Sequence, residues 1–383
     1  MDRELSVLEK SLLSNINKKY GKEMEPMVQL TDDAIYGKPR GWVDTGIYAL
    51  NWLISGDFNG GYPAGRITEM AGDPSTGKSL LCEMAIKDED LGLIIYFDTE
   101  TAIDKDFLKF LGVDNSKILY QPIDTVEQLT RVCQEVLDTV VANNQTDKKI
   151  LMIIDSIALA STEKEMDPEG GQDMGYKARM LRKFFRVYAR KIEKYNIALL
   201  ATNHYTQKVG QSYGPSKVTT GGSGLLYAAS VRLDLKVVEL EIDKKLESLG
   251  ASSVMIQAKT EKNRCFSPKR KVNFMLDFEK GVNKYSGLFK ILQDYGLAKK
   301  AGAWCQIEAF QGRAYSDGYW PEKFYEKDFP GYLTRDPAAL DEMKKMLDYK
   351  INKDIDTEDL EIEAMEEVTA KESDGESKEN KDA

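Results

Sequence analysis

Between about residue 65 and residue 203, short apolar runs alternate with stretches of helical periodicity. The runs "RITEMAG", "LIIYFD", "ILYQ", "ILMIIDS" and "IALLAT" carry the β-branched and large apolar side chains of strands. Between them the spacing of apolar residues predicts helices from Gly77, from Asp104 to Leu111, from Thr125 to Ala142 and from Met174 to Tyr195. Such alternation predicts an α/β fold with a doubly wound, mostly parallel sheet. After Leu225, "SVRLDLKVVEL", "SVMIQAKTEK" and "KRKVNFML" read as consecutive antiparallel strands that extend it. Residues 286 to about 350 read as a small mixed α/β module, and no internal repeat interrupts the pattern. Ahead of the body, "LSVLEKSLLSNINKKYG" has the spacing of an amphipathic helix, and "TDDAIYGKPRGWVDTG" reads as a linker or irregular lead-in to a body that begins near residue 33.

Composition supports a real core, with 42% hydrophobic and 9% aromatic residues in 383. Charge adds a boundary. Residues 354–383 hold thirteen acids against Lys371, Lys378 and Lys381, an excess equal to the whole formal net charge of -10. The rest is neutral in sum, and the acidic end has too few large apolar residues to bury, so a disordered tail is expected. Cys82, Cys133, Cys265 and Cys305 are widely spaced and the chain has a single His, so reduced thiols and no structural metal are expected. "MDRELSVLEK" is charged where a signal peptide needs an apolar run, and no run approaches the ~20 residues of a membrane span, so a soluble, cytosolic protein is expected.

The strongest chemical signal is "GDPSTGKS", Gly72, Asp73, Pro74, Ser75, Thr76, Gly77, Lys78 and Ser79, set between a strand and a helix. Loop amides and the helix N-terminus would cradle phosphates, Lys78 would reach the β and γ phosphates, and the Ser79 hydroxyl would hold Mg²⁺. Asp155, ending "ILMIID", supplies the partner carboxylate of a Walker B strand. At the end of "YFDTE", Asp98 and Glu100 point to the same side of an extended run, and either can be the base that polarises water for attack on the γ phosphate. One stretch is cleared of negative charge: no Asp or Glu occurs between Lys194 and Leu233, and His204 opens its loop.

Together with "YFDTETAID", "LGVDNSKILYQPIDTVEQL", "IIDSIALA", "DMGYKARM", "TTGG…YAASVRLD" and "AGAW", the loop resembles the bacterial RecA recombinases from about residue 8 to 340, and is similar also to the phage UvsX recombinases in its "NH" strand end and its Glu261 to Arg264 segment. The resemblance implies a RecA-like P-loop ATPase core over residues 33–285, a polymerisation helix and linker in 1–32, a small C-terminal domain over 286–350 and an acidic tail over 354–383. It assigns Glu100 as the water-activating carboxylate, Asp104 and Phe107 as the adenine pocket and Tyr285 as a further adenine contact. Two DNA loops fall at 169–175 and 205–222, where Lys208, Lys217, Thr219, Thr220, Gly221 and Gly222 suit phosphate contact and a carboxylate would not. Met174 and Val209 match apolar wedges between base groups, and Arg179 and Arg186 match phosphate contacts. His204 stands where RecA proteins carry a Gln that senses the γ phosphate, and an imidazole can still donate to phosphate. Lys262 and Arg264 match two Lys that reach a neighbour's γ phosphate, Arg in the manner of an arginine finger.

What the resemblance implies is a DNA-dependent ATPase of recombination and DNA repair. It uses ATP and Mg²⁺, forms a helical filament on single-stranded DNA, and exchanges strands with double-stranded DNA in the cytoplasm of a bacterium or phage-infected host. Single-strand-binding and mediator proteins are candidate partners. The alternative is a RecA-fold mediator or regulatory DNA-binding module without strand exchange, against which Lys78, Glu100, Lys262 and Arg264 argue. A hexameric helicase motor would lack the N-terminal helix and the paired DNA loops.

Overall fold

A computed structural model describes residues 5–21, 26–29, 37–101, 103–143, 148–168, 174–207, 217–241, 253–277 and 281–353. The chain forms two compact units, Met1–Arg40 and Gly41–Ala383. In the first, a helix over Val7–Tyr20 starts at a capping box in which Ser6 and Glu9 satisfy each other's backbone N–H. It buries none of its residues and leaves Val7, Leu8 and Leu12 exposed.

The second unit is built on a nine-stranded sheet. Its strands are β1 (Ile67–Gly72), β2 (Leu91–Asp98), β3 (Ile118–Pro122), β4 (Lys149–Asp155), β5 (Ile197–Asn203), β6 (Val231–Glu241), β7 (Ser253–Asn263), β8 (Lys271–Asp277) and β9 (Gly281–Val282), in the order β9-β8-β7-β6-β1-β5-β4-β2-β3. From β6 across to β3 every pairing is parallel. From β6 out to β9 every pairing is antiparallel, as expected for consecutive strand runs in the sequence.

Apolar layers cover both faces, which is why β4 reads as an unbroken apolar run. Ile150, Met152 and Ile154 face one layer with the helices Val126–Ala142 and Met174–Lys194, while Leu151 and Ile153 face the other with the helices Tyr48–Ser55 and Lys78–Ala85. The first of these helices buries Val126, Leu129, Cys133, Leu137 and Val140 at three- and four-residue spacing, behind a Thr125–Gln128 capping box. Each large apolar side chain so covered contributes ~1.5–3 kcal/mol. The second layer runs on into the C-terminal module, where Phe289, Phe310, Trp320, Phe324 and Phe329 pack together around the helices Leu288–Asp294 and Phe329–Arg335.

Two elements depart from the sequence pattern. "YALNWLIS" forms a helix that is buried all round, so it lacks the amphipathic period that marks the others. Within the stretch read as a lead-in, Trp42–Val43 is a strand paired with Tyr62–Pro63, and Val43 is fully buried. The tail beyond 353 lies outside the described residues.

Candidate functional site

β1, β2, β4 and β5 all end on one edge of the sheet, with Asp98 opposite Asp155 and Ala71 opposite Asn203 in register. This carboxyl-terminal edge is where open parallel sheets bind ligands. The phosphate-loop residues Pro74–Ser79 line a cleft of about 250 Å³ there, with Glu100, Asp155 and His204 on its other walls.

The loop conformation follows from its residue types. Gly77 has φ 82° and caps the helix Lys78–Ala85 without a side chain, so the first helical N–H groups face the cleft. A Cβ on Gly72 would lie 2.5 Å from Thr76 Oγ1 and 2.8 Å from Leu235 O, which excludes any larger residue. Thr76 Oγ1 donates to Asp73 O at 2.8 Å and tightens the turn. Lys78 Nζ, buried with its helix, donates to Gly72 O at 3.1 Å and Asp73 O at 2.9 Å. Burial lowers the Lys78 pKa, and the charges of Glu100, Asp155 and Asp73 oppose that shift.

Asp155 is buried and held by two hydroxyls that sequence reading missed: Tyr96 Oη donates to its Oδ2 at 2.8 Å and Thr202 Oγ1 donates to Oδ1. Each oxygen keeps a lone pair for a cation. With the Ser79 hydroxyl on the facing helix turn this is a hard-oxygen donor set, and Mg²⁺ takes one or two carboxylates and completes its shell with phosphate and water. Among the described residues no group of three or more His, Cys, Asp or Glu could hold a metal ion by itself.

Asp98 and Glu100 do not share a side, contrary to the extended run expected from sequence. β2 stops at Asp98, and Thr101 turns into positive φ at 55°. Asp98 is consumed by structure: Oδ1 accepts from Glu100 N and Thr101 N at 2.8 Å each, and Oδ2 accepts from Tyr120 Oη at 3.0 Å. Glu100 is thereby aimed into the cleft, where its Oε1 lies 2.9 Å from His204 Nε2. Burial pushes the Glu100 carboxyl up, but Ser156, His204 and Lys78 outweigh it and leave its pKa lowered, which favours the ionised form.

His204 is also the foot of the second expected DNA loop. Its carbonyl accepts from Thr220 N at 3.2 Å, and the segment between begins and ends as a hairpin, Tyr205–Gln207 paired with Lys217–Thr219. Gly221 and Gly222 have a packing reason beside the phosphate reading: both have positive φ, and a Cβ would lie 2.7 Å from Leu181 Cδ1 and 3.3 Å from Ala178 Cβ, respectively. Arg179 and Arg186 are exposed on the helix Met174–Lys194, with Arg179 over the Tyr176 ring at 5.7 Å. Lys208 and Val209, and 169–173 of the first loop, lie outside the described residues, as do the side chains of Met174 and Lys217.

Five expected residues are not among those lining the cleft. Asp104 caps the helix Lys105–Phe110, accepting from Asp106 N at 2.8 Å, and Phe107 on that helix stacks on Phe110 at 6.0 Å. Tyr285 packs on Tyr48 at 5.4 Å and meets Thr334 Oγ1 at 3.2 Å. Lys262 Nζ, on β7, donates to Leu226 O and Tyr227 O at 3.0 and 3.1 Å. Its pKa is lowered to about 8, by burial first and then by Arg264 and Arg232. Arg264 follows directly, its N–H on Ser230 O at 3.0 Å.

Residues 7–283 match the family model described as the RecA N-terminal domain. The chain is 31% identical over 271 residues to Protein RecA of Leptospira meyeri, covering 68% of this chain and 67% of that protein. It is 30% identical over 299 residues to Protein RecA of Chloroherpeton thalassium (77% and 79%) and 28% identical over 353 residues to that of Acidothermus cellulolyticus (91% and 94%). No helix among the described residues is long and apolar enough to cross a membrane. With the family model spanning most of the chain, and the phosphate loop, buried aspartate and strand-end histidine gathered on one sheet edge, the chain belongs to the RecA family.

Proposed function

We propose that this protein is a DNA-stimulated ATPase that assembles as a helical filament on single-stranded DNA and exchanges strands with a homologous duplex. The observation that carries this reading is the position of His204. Its ring touches Glu100 inside the phosphate cleft while its backbone closes the stem of the acid-free loop. One residue therefore belongs to both sites.

In this mechanism the loop amides and Lys78 hold the β and γ phosphates of ATP. Ser79 and Asp155 would hold Mg²⁺, which would supply positive charge to the phosphate oxygens. Glu100, kept ionised, takes a proton from the attacking water. His204 exchanges its contact with Glu100 for one with the γ phosphate, and that shift reaches the loop through Thr220. Asp104, Phe107 and Tyr285 take the adenine. Lys208, Val209, Lys217, Thr219 and Thr220 with Met174, Arg179 and Arg186 take the strand, through backbone phosphates and apolar wedges rather than base edges. Lys262 and Arg264 complete the site of the adjacent protomer, so hydrolysis requires assembly.

Electron microscopy with ATP, with and without single-stranded DNA, tests the reading: helical filaments are expected on the DNA. Rings or monomers alone would overturn it.

A further inference from the structure

Glu69 lies in β1, three residues before the phosphate loop, and its side chain is fully buried. Its carboxylate accepts from Asn203 Nδ2 at 2.9 Å and from Nε of Arg232, which register sets directly opposite it on β6. The same Asn203 Nδ2 donates to Thr220 O at 3.1 Å, and Asn203 Oδ1 accepts from His204 N at 3.0 Å. Both side-chain amide hydrogens of Asn203 are thus committed, one to Glu69 and one to the loop. On the other side Arg232 pairs in register with Lys262, whose ammonium holds the end of the helix Ser223–Ala228 that follows Gly222.

For stability alone, a buried pair of this kind is replaceable by apolar side chains of similar volume. What the ionic pair adds is a fixed hydrogen-bond direction across three adjacent strands, β6, β1 and β5. We propose that Glu69 is a positioning residue that couples the nucleotide cleft to the DNA loop: through Asn203 it holds His204 and Thr220 as one unit, and through Arg232 it ties that unit to the strand carrying Lys262 and Arg264. A displacement of His204 by nucleotide then moves the loop stem instead of being absorbed by a slack side chain. The inference rests on the ATP-dependent DNA-binding reading above. Its signature is the coupling factor, the gain in DNA affinity that nucleotide produces, which linkage makes equal to the gain in nucleotide affinity that DNA produces.

The test measures anisotropy of a labelled oligo(dT) at fixed salt, with and without a non-hydrolysable ATP analogue, for the full chain. Glu69→Gln keeps the shape but leaves one carbonyl oxygen to serve both Asn203 and Arg232. Its coupling factor is expected to fall about tenfold. The double variant Glu69→Met/Arg232→Met is expected to melt at the wild-type temperature and still lack the coupling. An unchanged factor in folded Glu69→Gln, or a restored one in the double variant, overturns the proposal, because packing alone then suffices. Should Glu69→Gln not fold, Arg232→Lys keeps the charge and loses the Nε contact, and it faces the same criterion. A wild-type protein whose DNA affinity ignores the analogue would instead overturn the function reading itself.

Discussion

Lys78 and Lys262 present the same group in opposite surroundings. Each ammonium is bound by two backbone carbonyls, Gly72 and Asp73 for one, Leu226 and Tyr227 for the other, and burial lowers the pKa of both. Around Lys78 the remaining charges are carboxylates, which oppose that lowering. Around Lys262 they are Arg264 and Arg232, which repel it further, with Glu69 alone opposing. A cation compensated by its own cleft and a cation crowded by other cations have different uses. On the proposed reading the first would take a phosphate, and the second would gain most from an anion supplied by another molecule.

The largest effect concerns the cleft that Lys78 serves. Glu100→Gln should bind ATP and assemble on DNA, with kcat lower by about 10²- to 10⁴-fold. Normal turnover would return the base role to Asp98, despite its three hydrogen bonds.

Separating the two lysines comes next. Lys78→Met should weaken ATP binding by a dilute protomer roughly 10- to 100-fold, as loss of a charge-assisted contact does. Lys262→Met should leave that binding intact and, mixed with wild-type chains, depress their activity below additivity. Additive mixtures would mean that Lys262 serves no neighbour.

A pH titration sharpens the contrast. With its pKa near 8, Lys262 loses its charge as pH rises through that value. kcat/KM for ATP in the DNA-stimulated reaction should therefore drop about tenfold from pH 7 to pH 9. Lys262→Arg, which stays charged, should flatten the profile. The same decline in both proteins would place the titrating group elsewhere.

The smallest effect is on stability. Glu83 is buried on the phosphate-loop helix facing Asp155 and Asp104, and burial first, then those acids, push its carboxyl up to about 7. Between the ordinary carboxylate value and 7 the unfolded chain has released this proton and the folded one has kept it, so stability is lost as pH rises through that window. Glu83→Gln should remove a decline on the order of 2 kcal/mol between pH 5.5 and 8, read by denaturant melts. Parallel pH curves for the two proteins would exclude the effect.

Much of the site was legible because its chemistry is local. "GDPSTGKS" and "ILMIID" are contiguous, and a strand, a turn and a helix N-terminus follow from Gly, apolar and Ser positions without outside help. The Asp98 and Glu100 ambiguity was not resolvable this way, since it depends on Tyr120 on the neighbouring strand β3. Gly221 and Gly222 read as phosphate contacts, but the helix carrying Ala178 and Leu181 packs against them, a contact across forty residues of chain that no local pattern reports.

The sequence by itself determined the alternation of strands and amphipathic helices from Ile67 on, the Gly-rich loop, the strand-end acids and the stretch kept free of carboxylates, because each rests on periodicity or on residues adjacent in the chain. Tertiary structure alone decided which hydroxyls hold Asp155, which acid faces the cleft, and that buried Glu69 meets Arg232 and Asn203. Those outcomes are set by register between strands far apart in sequence, and a shift of one residue would turn every one of these side chains to the opposite face.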